Sequence, residues 1–173
     1  LVLENEFLRS WSDVPRFFTD NVFRGGGYLS NLYRPVSLFV YFVLFQIFEL
    51  QVVAYHSFNL LVHIVNAFLV FCLFRKLKFV EGGSLLAALL FLVHPAQAES
   101  VSYIAGLPDV LSSFFVIAGL VVLAGSSRKW DQVGVVMLFV LGLFSKESAL
   151  VLLPLAIVIS VYQKKWRQKV WGL

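Results

Sequence analysis

The sequence predicts an all-α fold: a polytopic membrane helix bundle of about five transmembrane helices, with juxtamembrane and interfacial helices beside them. Three observations lead there. Of 173 residues, 60% are hydrophobic and 14% charged, against roughly 45–50% and about 25% in soluble domains. Mean hydropathy is +0.85. The apolar residues also fall into six long stretches punctuated by Gly, Pro, Ser or charge. A soluble chain of this size leaves too much of its surface exposed to hide such a composition, so lipid is the expected solvent and membrane lipid an expected partner. This excludes a disordered chain, an ordinary soluble enzyme and a basic nucleic-acid-binding domain; no nucleic acid is expected. One cysteine, Cys72, excludes a disulfide framework and a Cys-rich metal centre. It sits among Phe and Leu and reads as inert packing.

The apolar stretches are Val36–Leu50, Val52–Phe74, Ser84–Val93, Val110–Gly125, Val133–Phe144 and Ala149–Tyr162. The second, of about 23 residues, spans a bilayer easily; the others suit short helices or spans lengthened by mildly polar flanks. Breaks are expected at Gly82-Gly83, His94-Pro95, Pro108-Asp109, Ser126-Ser127 and Ser145-Lys146. His94 precedes Pro95, which pushes it out of helical geometry and turns the chain toward Glu99. Before these stretches, Leu3, Phe7, Leu8, Trp11, Val14, Phe17 and Phe18 recur every three or four residues among charges. That pattern predicts ordered amphipathic pieces lying on the membrane surface, with Ser12 and Pro15 opening a short helix. Gly25-Gly26-Gly27 is a flexible turn and lacks the context of a phosphate loop. No internal repeat is visible.

Charge fixes the expected topology. Basic residues cluster at Arg75, Lys76 and Lys78, at Arg128 and Lys129, and at Lys164, Lys165, Arg167 and Lys169. If Val36–Leu50 is interfacial or re-entrant and the next five stretches cross, all three clusters share one side, which the positive-inside rule makes cytoplasmic. That side carries nine bases and two acids, Glu81 and Asp131, for +7; the other carries five bases and eight acids, for −3, restoring the total of +4. Residues 1–51 are then an extracytoplasmic loop with amphipathic and juxtamembrane helices. Residues 52–173 are a five-span bundle, the two together forming one incomplete domain. The competing topology is six plain spans with a weak charge bias.

In this topology the unusual polar residues gather on the extracytoplasmic side: Arg34, His94, Glu99, Asp109, Lys146 and Glu147. Ionisable groups at membrane depth are costly and mark functional sites. Lys146 and Glu147 stand between two apolar stretches with almost no loop around them. They either line a wet cleft or form a local ion pair at a helix-hairpin turn. His56, Asn59, His63 and Asn66 share one helix face, spaced 3, 4 and 3 apart. The stripe either fixes interhelical packing or walls a cavity. The two histidines lie about 10 Å apart along the helix, too far to ligate one metal. His94, Glu99 and Asp109 near one membrane surface could bind a divalent cation or polarise a substrate.

Five motifs in order, Tyr33-Arg34-Pro35-Val36, His56-x-x-Asn59-x-x-x-His63, His94-Pro95-x-x-x-Glu99-x-Val101, Gly106-x-x-Asp109 and Ser145-Lys146-Glu147, resemble the membrane domain of the C-type glycosyltransferases. The resemblance is to the branch of protein O-mannosyltransferases that carry tetratricopeptide repeats, and it covers nearly the whole chain. It implies a polyprenyl-phosphate sugar donor, an extracytoplasmic active site, a protein or glycan acceptor, and a bacterial plasma membrane or endoplasmic reticulum as location. Transfer of a mannose-like sugar to an acceptor hydroxyl would need a carboxylate base and cations for the leaving phosphate. On this reading Lys146 and Arg34 contact the donor phosphate, with Glu147 holding Lys146. Glu99 and Asp109 are carboxylate candidates, and His94, His56 and His63 play supporting parts. A divalent cation is a possible cofactor.

The sequence departs from the family in two places. The acidic pair that usually follows the first span has no counterpart, so the base is expected upstream of Leu1 and this stretch alone is expected to be inactive. Leu107 stands where the family often has Arg before the Gly-x-x-Asp aspartate. A transporter or channel subunit, and a non-catalytic membrane scaffold, are the rival classes.

Overall fold

α1 (Pro35–Phe48) begins where proline is at home, since a first-turn N–H has no helical partner to lose. The computed structural model, which describes residues 5–21, 26–27, 32–125 and 129–171, is helical throughout its regular elements. Leu3, Glu4, Arg24, Gly25, Ser126, Ser127 and Arg128 lie outside the described residues, as do the side chains of Lys129, Lys165, Arg167 and Lys169.

At about 21 Å, the 14 residues of α1 fall short of a hydrocarbon core of about 30 Å. Its buried face, Leu38, Tyr41 and Phe42, meets two 3-10 segments, Glu6–Leu8 and Trp11–Phe18, through Leu8 and Phe17. The second segment is capped by Ser10, whose hydroxyl accepts from the Ser12 N–H; Ser12 lies inside the segment and does not open it. Phe42 receives the edges of Trp11 and Phe17, with ring centroids 4.8 and 5.6 Å away. α1 ends at Glu49, held at φ 50°. The Glu49 carbonyl there accepts from the Tyr55 hydroxyl at 2.7 Å.

Among the described residues, three helices are long and apolar enough to cross a membrane: α2 (Val52–Lys76), a segment Ile104–Gly125 built on α5 (Leu107–Gly125), and Glu147–Lys164, a 3-10 turn running into α7 (Leu152–Trp171). α3 (Glu81–Val93) and the stretch Pro95–Ser102, which includes α4 (Ala98–Ser102), are together long and apolar enough for a fourth, broken span or a re-entrant loop, bent by 47°. The bend falls at His94, whose ψ of 128° is the extended geometry that Pro95 imposes. α6 (Lys129–Ser145) is apolar but shorter.

Two expected breaks lie inside helices. Gly82 and Gly83 fall in the first turn of α3, and Pro108 and Asp109 in the first turn of α5. First-turn amides lack intrahelical acceptors, so neither residue type interrupts the ladder there.

α5 sits centrally against α2, α6 and α7, while α3 packs on α2. Two cores result. One, near the start of α2, joins Leu8, Phe17, Leu38, Tyr41 and Phe42 to Tyr55, Leu107 and Leu111 across the chain. The other joins Leu73, Val116, Leu120, Leu152 and Ile159. Outward faces stay apolar: Leu60, Leu61, Ile64 and Phe68 on α2, and Leu85, Leu86, Leu89 and Leu90 on α3, are exposed. Exposed aliphatic surface on this scale marks a lipid-facing bundle.

The polar stripe on α2 is interior packing. Asn59, His63 and Asn66 are buried; Asn59 Nδ2 donates to the Tyr103 carbonyl (2.9 Å) and Asn66 Nδ2 to the Val110 carbonyl (3.0 Å). His63 Nε2 lies 3.0 Å from the Leu92 carbonyl, one of the last carbonyls of α3, which have no helical donor. His56, two turns before His63, is half-buried.

Candidate functional site

The start of α1, the α3–α4–α5 turns and the α6–α7 junction meet at one end of the bundle. Tyr33 enters first. Its hydroxyl donates to the Phe18 carbonyl (3.0 Å), and its ring meets Phe144 edge-on at 5.9 Å. Arg34 follows, and its guanidinium grips Glu147 with two hydrogen bonds, Nη2 to Oε1 at 2.7 Å and Nε to Oε2 at 3.2 Å. Ser37 then donates to the Ser145 carbonyl (2.9 Å), at the last residue of α6. Tyr41 donates to the Ile104 carbonyl (2.6 Å). Burial pushes its phenol above the ordinary tyrosine range, so it remains a donor. α1 is thereby tied to both neighbouring junctions.

At the α6–α7 junction, Lys146 is extended (φ −162°, ψ 144°) and leads into a 3-10 turn, Glu147–Val151. Its ammonium reaches Asp109 Oδ1, in the first turn of α5, at 2.5 Å. Asp109 suits that place, because a carboxylate complements the helix N-terminus. Ser112 and Ser148 hydroxyls, 3.3 Å apart, stitch the same two elements one turn deeper.

A cleft of about 520 Å³ opens beside this pair, lined by Glu99, Ser100, Tyr103, Gly106, Asp109 and Lys146. Gly106 is required there, since a Cβ at that position would collide with the Ser100 backbone. The arrangement offers a cation, two carboxylates and an aromatic ring in one wet recess. Such a recess can hydrogen-bond a ligand rich in hydroxyl groups.

Of the residues the sequence singled out, Glu99, Asp109 and Lys146 line the cleft. Arg34 and Glu147 form the adjoining pair, so Glu147 holds Arg34, while Lys146 is held by Asp109. The exchange follows from the turn at Lys146, where the two neighbouring side chains serve different elements. His94 caps its own turn, Nδ1 accepting from the Ala96 N–H, and His56 and His63 are not cleft-lining residues. Among the described residues, no group of three His, Cys, Asp or Glu side chains is placed to hold a metal ion. His94, Glu99 and Asp109 therefore do not converge on one.

Sequence reasoning missed Tyr103, Ser100 and Tyr41. Tyr103 had a signal, standing four residues after Glu99 and three before Gly106, between two motifs.

The chain is similar to a protein O-mannosyl-transferase of Caenorhabditis elegans, with 29% identity over 130 residues, 73% of this chain and 19% of that protein. It is 34% identical over 86 residues to protein O-mannosyl-transferase TMTC3 of Homo sapiens, covering 50% of this chain and 9% of that one. It is 30% identical over 126 residues to protein O-mannosyl-transferase Tmtc1 of Drosophila melanogaster, covering 71% and 15%. The chain thus spans less than a fifth of the length of each of these relatives. No family model matches the chain. No solved structure matches it.

Proposed function

This chain is a relative of the protein O-mannosyl-transferases, a glycosyltransferase family, and from that premise we propose that it builds part of the donor site of a membrane mannosyltransferase. The donor is a polyprenyl-phosphate sugar, the acceptor a hydroxyl of a protein or glycan, and the cleft opens on the extracytoplasmic face. In eukaryotes that face is the lumen of the endoplasmic reticulum; in bacteria it is the periplasmic or outer side.

The observation that carries this reading is the gathering of Arg34, Glu99, Asp109, Lys146 and Glu147 at one end of an otherwise apolar bundle. Arg75, Lys76 and Lys164 lie at the other end, on the last turn of α2 and along the outer part of α7. In the transfer, the sugar C1–O bond to phosphate breaks, a C1–O bond to the acceptor forms, and the acceptor's proton passes to a carboxylate. Lys146, with Arg34 beside it, balances the charge left on the phosphate. Asp109 holds the ammonium in place until the phosphate arrives and shares it afterwards. Glu99 and Asp109 are the carboxylates this chain offers for acceptor orientation.

Donor class is tested by supplying the intact protein in membranes with labelled mannose on either carrier, polyprenyl phosphate or nucleoside diphosphate. Label should reach an acceptor peptide from the lipid carrier. Transfer from the nucleotide carrier in the absence of any lipid carrier would overturn the proposal.

A further inference from the structure

Tyr103 is a large aromatic side chain, 64% exposed, held on a rigid backbone. Its carbonyl accepts from Asn59 Nδ2 at 2.9 Å and from the Gly106 N–H at 2.9 Å, while its own N–H donates to the Glu99 carbonyl at 3.1 Å. Asn59 itself is 1% exposed, so α2 commits a buried amide to fixing the main chain of an exposed residue. Burying an amide costs unless it is bonded, and the Tyr103 carbonyl meets that need while the bond fixes the short connection that carries it. Tyr103 also lines the polar cleft with Glu99, Asp109 and Lys146. An interfacial anchor needs neither the rigid backbone nor that position.

We propose that Tyr103 is a stacking platform for the hexose of the donor, positioned by Asn59. One face of a pyranose presents a row of C–H groups, which complements the electron-rich face of an aromatic ring, while hydroxyls on the edges reach Glu99 and Ser100. The sugar then lies across Tyr103 with its phosphate toward Lys146. This rests on the donor-site reading above and adds the sugar's place in the cleft. Tyr103 thus contributes binding of the sugar, and Lys146 the stabilisation of the leaving group.

The test is steady-state transfer by the intact protein in membranes, varying the polyprenyl-phosphate mannose. Tyr103→Ala should raise the donor KM about five- to tenfold with kcat within a factor of about two, and Tyr103→Phe should restore it, because the ring does the stacking. Asn59→Leu should raise the same KM, whereas Asn66→Leu, which removes a comparable buried bond remote from Tyr103, should leave KM unchanged. A normal donor KM in Tyr103→Ala, beside a Lys146→Ala variant that has lost turnover, would overturn the platform and leave the donor site standing. Normal turnover in Lys146→Ala would instead overturn the donor site itself. An effect of Tyr103→Ala confined to the acceptor KM would also overturn the proposal.

Discussion

Lys146 Nζ and Asp109 Oδ1 stand 2.5 Å apart, joining the α6–α7 junction to the first turn of α5 at the mouth of a cleft. Both side chains are partly exposed. A pair so placed contributes modestly to stability, on the order of 1 kcal/mol or less. It does fix a cation at the cleft wall, where the proposed donor site needs one. Asp109→Asn should therefore leave thermal stability in detergent nearly unchanged while weakening transfer, since the ammonium loses its fixed position. A large fall in melting temperature with normal transfer would assign the pair to folding alone.

The neighbouring pair behaves differently, because its partners are buried unequally. The Arg34 side chain is 15% exposed and Glu147 is 64% exposed. Removing Glu147 strands a mostly buried guanidinium, which costs more than losing an exposed pair. Glu147→Ala should destabilise the protein by about 1–3 kcal/mol, and Glu147→Asp less. A double-mutant cycle with Arg34→Ala, read by thermal melting in detergent, should give a coupling of at least about 0.5 kcal/mol; a value near zero would mean that the two side chains act independently.

Gly106 tests the architecture of the cleft wall. Its missing Cβ admits the Ser100 backbone, so Gly106→Ala must push apart the connection that carries Tyr103. The expected cost is about 1–3 kcal/mol, with a loss of transfer larger than stability explains. Unaltered transfer would show that the wall adapts.

Much of this fold is legible in the sequence where an apolar stretch ends at a residue whose backbone chemistry ends a helix. His94-Pro95 gives the bend in the α3–α4 span and Ser145-Lys146 the end of α6, both at the expected residues. Gly82-Gly83 and Pro108 misled for a common reason: in a first turn these residues cost little, and sequence alone does not mark where that turn lies. The concentration of Glu99, Asp109 and Lys146 at one end followed from counting charges along a threaded chain. The partners did not. Arg34 and Glu147 lie 113 residues apart and Lys146 and Asp109 lie 37 apart, so their pairing depends on how α1, α5 and the α6–α7 junction rotate against one another. The α2 stripe left two readings open, and hydrogen bonds to the Leu92, Tyr103 and Val110 carbonyls decide for packing.

Sidedness is checked with single cysteines. On a Cys72→Ser background, Ser100→Cys and Glu81→Cys should react with an impermeant thiol reagent from opposite faces of sealed vesicles, with Ser100→Cys open to the lumenal or external face. Both positions labelling from one face would contradict the proposed topology.

The most direct measurement is kcat for the intact protein with saturating polyprenyl-phosphate mannose, wild type against Lys146→Ala. If Lys146 balances the charge on the departing phosphate, kcat should fall about 100-fold or more, as for other lost transition-state contacts, while Lys146→Arg retains part of it and both variants melt near the wild-type temperature. A Lys146→Ala variant that folds and turns over at the wild-type rate would contradict the account.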